Sequence, residues 1–291
     1  MIRSHARRVG TDLKKKRYHP IATNFFRTLV NFSRRHHYLT DIAHKYKTFR
    51  AYNVLIDYVF TTDPANVEYI LKTNFANYGR GWYHYSVLLD GLGDGIFAVD
   101  GEKWLHQRKI SSNVLSTKIV KDFSTTVFKT NVVQIAGIIS EAATCDKAIE
   151  IQARRDTMVS SLTWFIYMLY KHPHIEEKIV QEVREATNLK DSSSIYEVAA
   201  SLTDDALDKM HYLHASLSET LRLHPAIPLA GPRNCIGKDF AYRQAKIVCA
   251  MLLRSYIFKL SDENKVAHYR TKITLHIDGG LYVQAFPRNL N

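Results

Sequence analysis

The apolar positions of this chain fall mostly at intervals of three and four residues, the repeat that places side chains on one face of an α-helix. Val127, Val132, Ile135 and Ile138 follow it within Phe123–Ile139, and Leu207, Met210, Leu213, Leu217 and Leu221 within Asp204–Leu223. The same reading predicts helices around Phe25–Tyr46, from Asp63-Pro64 through Leu71, from about Glu102, over Thr163–Tyr170, over Ile175–Glu185 and over Lys238–Leu260. Asp63 has the character of an N-cap and Pro64 of a first helical residue, while His172-Pro173 ends the helix before it. Strand signals are confined to two places. Phe49–Thr62, rich in Val, Tyr, Phe and Thr, reads as a β-hairpin, and so does Thr271–Phe286, where Asp278-Gly279-Gly280 supplies the turn. In Tyr78–Asp100 glycines and aspartates interrupt the apolar clusters, which predicts a loop-rich segment wrapped over the core and able to line a pocket. The pattern is mainly α, with small β-hairpins near the N- and C-termini.

Composition narrows the class. A chain of 291 residues with 46% hydrophobic content can form one large or two ordinary domains around a substantial core, and it is not a disordered composition. Three cysteines, Cys145, Cys235 and Cys249, include no CxxC pair, which argues for a reducing compartment and against a zinc module or disulfide framework. The net charge of +12 is concentrated in residues 1–50, which hold 13 Lys/Arg against 2 Asp/Glu. The run Lys14-Lys15-Lys16-Arg17 and the cluster Arg34-Arg35-His36-His37 suit an anionic membrane surface or a nucleic acid, or form a solvated basic face. No recognised nucleic-acid-binding pattern or aromatic–basic interleaving accompanies them, so nucleic acid is not expected as a partner. No apolar signal core follows the charged N-terminus. The longest uncharged run, Thr157–Tyr170, has 14 residues, short of the ~20 that cross a bilayer, so no membrane anchor is expected.

The candidate chemistry centres on Cys235, which precedes the helix expected from Lys238. A thiol there faces the positive end of the helix dipole and unpaired backbone N–H groups, and Arg233 adds a fixed positive charge, all of which favour a thiolate that can ligate a metal. Gly231 suits the turn, and Gly237 lets the backbone approach a flat, bulky group without a Cβ in the way. A haem is such a group, and cysteine thiolate is one of its few proximal ligands. The alternative is a structural cysteine in a turn, because free Cys usually packs as a small hydrophobe.

This Gly-x-Arg-x-Cys-x-Gly pattern resembles the ligand loop of the cytochrome P-450 haem-thiolate monooxygenases. Three further pairs stand in that family's chain order. Trp104 and Arg108 lie four residues apart on one helical face, as a surface cation–π pair would; the resemblance makes them contacts to a haem propionate. The run Asn74–Ser112 is similar to the plant fatty-acid ω-hydroxylase branch. Asp156 and Thr157 suit helix-start chemistry, or by resemblance the catalytic acid–alcohol pair that delivers protons at the iron. Glu219 and Arg222 could be an incidental exposed i,i+3 pair; by resemblance they form the buried Glu-x-x-Arg ion pair of the proximal core.

The chain departs from the family in specific ways. Pro228 stands where the family has a packing Phe, and Arg154 where it has a glycine that opens a groove for oxygen. Only eight residues separate Arg222 from Gly231, at most ~30 Å of extended chain, with no room for the strands and arginine-bearing meander that the family places there. The resemblance implies a single incomplete cytochrome P-450-type helical domain over residues 1–291, in blocks 18–152, 153–229 and 230–288. Internal stretches are expected to be missing near 152/153 and 229/230. It also implies haem b held by Cys235, electrons from NADPH through a cytochrome reductase, a fatty-acid-like substrate and a place at the endoplasmic reticulum membrane, peripheral or cytoplasmic here for want of an anchor. The defects imply impaired turnover, with a non-catalytic remnant or splice product as the alternative.

Overall fold

The computed structural model describes residues 20–52, 57–151, 156–190, 193–227, 235–271 and 274–288. They form two compact units, one up to Asn113 and one from Val114 onward. The fold is mainly α: among the described residues twelve α-helices accompany three small sheets.

In the first unit, β1 (Ile21–Asn24) leads into α1 (Phe25–Val30), which Asn24 caps by accepting from the Arg27 N–H at 3.0 Å. The single helix expected over Phe25–Tyr46 is interrupted, because α1 ends at Asn31, a 3-10 turn follows, and α2 starts afresh (Arg35–Lys45). Asn31 donates its side-chain amide to the Arg27 carbonyl at 2.9 Å, in addition to its own backbone N–H, a local competition that favours helix ends. The expected hairpin forms from β2 (Thr48–Tyr52) and β3 (Tyr58–Thr61), antiparallel with Phe49 opposite Phe60, and β1 joins β2 in parallel. Asp63 caps α3 (Pro64–Glu68) through the N–H groups of Ala65 and Asn66, as read from the sequence. Tyr78–Asp100 is more ordered than expected. It contains α4 (Gly81–Leu92), whose many aromatic and aliphatic residues outweigh the internal Gly91 and which stops at Gly93, in a positive-φ conformation of 55°. The helix expected from Glu102 is α5 (Gly101–Ser116).

The second unit begins with α6 (Lys118–Thr144), capped by Thr117, and β4 (Ile149–Ile151). Then come α7 (Thr157–Lys171), α8 (Pro173–Thr187), α9 (Ile195–Ser201), α10 (Asp204–Lys209), α11 (His211–Leu223) and α12 (Lys238–Ser255). Trp164, Phe165, Ile179, Val183, Leu213, Leu217, Ile247 and Met251 from four of these helices form its buried core. Each such side chain contributes ~1.5–3 kcal/mol by leaving water. The helix expected over Asp204–Leu223 is two helices broken at Met210. The carboxylate of Glu182 on α8 accepts from the Tyr212 and Leu213 N–H groups at 2.6 and 2.8 Å, so an anion brought by another helix caps the new start.

Two C-terminal expectations are also corrected. The helix expected to reach Leu260 ends at Ser255, and Tyr256–Leu260 becomes β5, a β-branched and aromatic run paired along its length with β8 (Leu281–Pro287). The Asp278-Gly279-Gly280 turn forms, with both glycines at positive φ, but its flanking strands do not pair with each other. β7 (Leu275–Ile277) pairs with β6 (Tyr269–Thr271), while β8 lies between β4 and β5. Ladder partners from elsewhere in the chain outcompete the local hairpin.

Candidate functional site around Cys235

The position of Cys235 is set by α12. Gln244, Ile247, Met251 and Arg254 repeat at three and four residues on its buried side. Near its start, Tyr242 meets the Ser218 hydroxyl of α11 at 3.1 Å and the ring of His214 at 4.5 Å, with the Lys238 ammonium over its face. Arg243 pairs with Asp204 and donates to the Thr125 hydroxyl of α6 at 3.2 Å. The first turns of α12 are thus tied to α6, α10 and α11. Cys235 stands exposed directly before them, and Gly237 is the N-cap. A Cβ built on Gly237 would meet nothing within 4 Å, so the space beside the loop is open. Gly231, Arg233 and Pro228 lie outside the described residues.

The three thiols differ. Cys145 is exposed at the end of α6, whereas Cys249 is buried in α12, where burial pushes its thiol far up and keeps it neutral. Among the described residues no group of three or more His, Cys, Asp or Glu is placed to hold a metal ion.

Asp156 and Thr157 open α7. The Asp156 carboxylate accepts from the N–H groups of Met158 and Val159 at 2.7 and 3.1 Å, the geometry of a helix cap, and the Thr157 carbonyl accepts from Ser161. Arg154 lies outside the described residues. On α11, Arg222 makes a two-pronged contact with Glu219, Nε to Oε2 at 2.8 Å and Nη2 to Oε1 at 2.6 Å. The pair's side chains are 68% and 54% accessible, as in the exposed i,i+3 pair read from the residues and unlike the buried pair that the resemblance implies. Trp104 and Arg108 belong to the first unit. Trp104 is buried against Phe75, with the Arg108 guanidinium 5.7 Å from its ring centre, so the cation–π geometry read from their spacing is present.

The first unit also carries an open cleft of about 370 Å³, lined by Trp82, Tyr85, Asp94, Asp100 and Lys103 among others. It falls on the segment expected to line a pocket. Asp94 accepts from the Tyr85 hydroxyl at 2.6 Å and from Lys103, contacts that hold its carboxyl below the ordinary range.

Residues that sequence reasoning missed lie between α7 and the segment after α11. His224 stacks on Trp164, and Ser160 and the Trp164 indole N–H, the latter at 3.3 Å, both donate to the Leu275 carbonyl. The Leu275 N–H in turn donates to the Ala226 carbonyl at 2.8 Å. These contacts join residues far apart in the chain, so no local pattern announces them.

Comparison with known proteins places the chain in a family. The cytochrome P450 family profile matches residues 151–230 and 229–282, two pieces that meet at 229–230 and include Asp156, Glu219, Arg222 and Cys235. The chain is similar to Cytochrome P450 704C1 of Pinus taeda, 30% identical over 484 aligned positions that cover 94% of this chain and 93% of the relative. It is also similar to Cytochrome P450 704B1 of Arabidopsis thaliana, 23% identical over 494 positions covering 93% and 94%. Over 138 residues, 46% of this chain and 27% of the relative, it is 36% identical to Cytochrome P450 94A2 of Vicia sativa. An alignment of 484 positions is longer than the 291-residue chain, so the pine relative carries internal segments opposite which this chain has none. The chain belongs to the cytochrome P450 family of haem-dependent monooxygenases.

Proposed function

We propose that Cys235 is the thiolate ligand of a haem b iron, and that this chain is a fatty-acid-type monooxygenase with impaired turnover. The observation that carries the reading is the exposed Cys235 thiol directly before α12, in a stretch that the family profile matches. The donor set fits the cofactor. With no multi-residue metal cluster among the described residues, a metal here would take one protein ligand, and a haem brings its remaining equatorial donors itself. The open space at Gly237 fits a flat group lying against the loop.

Bound haem would supply oxygen activation; the remaining roles fall to side chains. Cys235 would donate its thiolate, Arg233 would stabilise that charge, Gly231 would shape the turn, and Trp104 with Arg108 would hold a propionate. Asp156 and Thr157 would relay protons to the distal side. Asp156, however, is already engaged in capping α7, an interaction worth ~1 kcal/mol that a proton relay would have to interrupt. Electrons would come from NADPH through a cytochrome reductase, to a fatty-acid-like substrate, at the endoplasmic reticulum. The basic N-terminal residues would hold the chain peripherally on anionic lipid; among the described residues no helix is long and apolar enough to cross a membrane.

Three features support impairment: the capping role of Asp156, the exposure of the Glu219–Arg222 pair, and the shortened interior. The blocks 18–152, 153–229 and 230–288 would make one incomplete domain, with Arg154 near the first join and Pro228 near the second. The exposed ion pair also favours a second reading, a non-catalytic remnant that binds haem without turnover. Purified chain reconstituted with haem, reductase and NADPH, and given a long-chain fatty acid, separates the cases. Slow, poorly coupled hydroxylation is expected; none at all supports the remnant, and fast coupled hydroxylation overturns the impairment.

A further inference from the structure

The helix that follows Cys235 starts without a side-chain cap. Among the described residues, α6, α7, α9 and α10 are each capped by the side chain of their own N-cap residue, Thr117, Asp156, Ser194 and Thr203. The N-cap of α12 is Gly237, which has none to offer. The first intrahelical bond of α12 runs from the Ala241 N–H to the Gly237 carbonyl at 2.8 Å. The N–H groups of Lys238, Asp239 and Phe240 therefore carry the positive end of the helix dipole toward the side on which Cys235 stands. What holds the first turn decides how steadily they are aimed.

Tyr242, one turn into the helix, reaches both ways. Its ring carries the ammonium of Lys238, the first helical residue, 5.7 Å from the ring centre, and meets the imidazole of His214 on α11, centres 4.5 Å apart. Burial, Lys246 and Lys238 lower the His214 pKa, so the ring that meets Tyr242 is uncharged at neutral pH. The Tyr242 hydroxyl lies 3.1 Å from that of Ser218. Ser218 already donates its own proton to the His214 carbonyl at 2.9 Å, so Tyr242 is the donor and Ser218 the acceptor. Contacts thus run from Lys238 in the first turn through Tyr242 to two residues of α11. Arg243 adds ties to Asp204 and Thr125, one residue further along. We propose that Tyr242 is a positioning residue for Cys235: it holds the first turn of α12 against α11 and so keeps the three N–H groups in support of the thiolate that ligates the iron. The inference rests on the reading of Cys235 as the iron ligand. When the turn loosens, the thiolate loses that support and gives way to neutral sulfur or to another ligand.

Amide exchange of the haem-free chain and the carbon-monoxide spectrum of the reduced, haem-loaded chain test this together. Tyr242→Phe and Ser218→Ala should each speed exchange of the Ala241 amide about fivefold, the effect of one neutral hydrogen bond, and their double variant no further. Tyr242→Ala, which also removes the seat of Lys238, should speed it more. It should also lose most of the red-shifted thiolate band at equal haem content, with circular dichroism unchanged. Should that variant fail to fold, a partial loss of the band in Tyr242→Phe carries the same prediction. Exchange at the parent's rate, or a band as strong as the parent's in the variant that folds, overturns the proposal. A further effect in the double variant overturns the shared hydrogen bond. A parent chain that itself lacks the red-shifted band overturns the reading of Cys235 as ligand, and the positioning role with it. A parent that shows the band beside an unaffected Tyr242→Ala overturns the positioning role alone.

Discussion

The imidazole of His224 lies flat on the indole of Trp164, ring centres 3.9 Å apart and planes within 3° of parallel. Trp164 is 1% exposed, and burial lowers the His224 pKa below the ordinary 6.5. A histidine whose folded pKa is depressed contributes stability that is present above its unfolded pKa and is lost as pH falls through the folded value. His214, packed on Tyr242, is shifted the same way by burial and then by Lys246 and Lys238. Thermal stability should therefore hold above about pH 6.5 and decline as the solution is acidified below it. His224→Phe, which keeps a stacked ring without a titrating group, should flatten that decline in melting curves recorded from pH 8 to 5. An unchanged pH profile in the variant would place the acid sensitivity elsewhere.

Trp164→Ala should cost about 3–5 kcal/mol, the range for removing a large buried aromatic, and should also leave the Leu275 carbonyl with Ser160 as its donor from α7. Urea unfolding measures this. A loss below 1 kcal/mol would mean that the second unit is not organised around α7.

The break at Met210 depends on Glu182 supplying the start of α11 with a carboxylate. Glu182→Gln keeps the shape and removes the charge, and it should destabilise by about 1 kcal/mol. Helix content should fall only slightly, since α10 and α11 remain packed on α8 and α12. A variant as stable as the parent would show that the break is fixed by packing alone.

These relationships mark where local reading ends. The helices were legible because their apolar faces repeat at three and four residues, and the caps at Asp63 and Asp156 because capping is local. The split at Met210 was hidden, since its cause is a carboxylate thirty residues away on α8. Tyr256–Leu260 read as helix because its apolar spacing continued that of α12, and only pairing with β8 makes it a strand. The cation–π geometry of Trp104 and Arg108 could be read from their spacing, and so could the place of Cys235 just ahead of α12. Whether Glu219 and Arg222 are exposed or buried could not be chosen, because burial of an i,i+3 pair depends on which segments pack over it.

Glu219→Gln discriminates between an exposed pair and a buried network. With both side chains open to solvent, the melting temperature should stay unchanged within error, and raising salt should have no larger effect on the parent than on the variant. A pronounced loss of stability would mean that the pair is enclosed in solution.

The basic residues at the N-terminal end predict electrostatic attachment to anionic lipid. Binding to phosphatidylserine vesicles should weaken steeply with salt, because the Debye length falls from ~10 Å at 0.1 M to ~3 Å at 1 M. Salt-insensitive binding would point to an inserted apolar element such as the exposed Phe25, Phe26 and Leu29 of α1.

The central claim is that Cys235 holds the iron, and the spectrum of the reduced, carbon-monoxide-treated protein tests it most directly. Haem-loaded chain should show the strongly red-shifted band of thiolate ligation. That band should disappear in Cys235→Ala and persist in Cys145→Ala, which removes the other exposed thiol. Haem retained with the same red-shifted spectrum in Cys235→Ala would contradict the account.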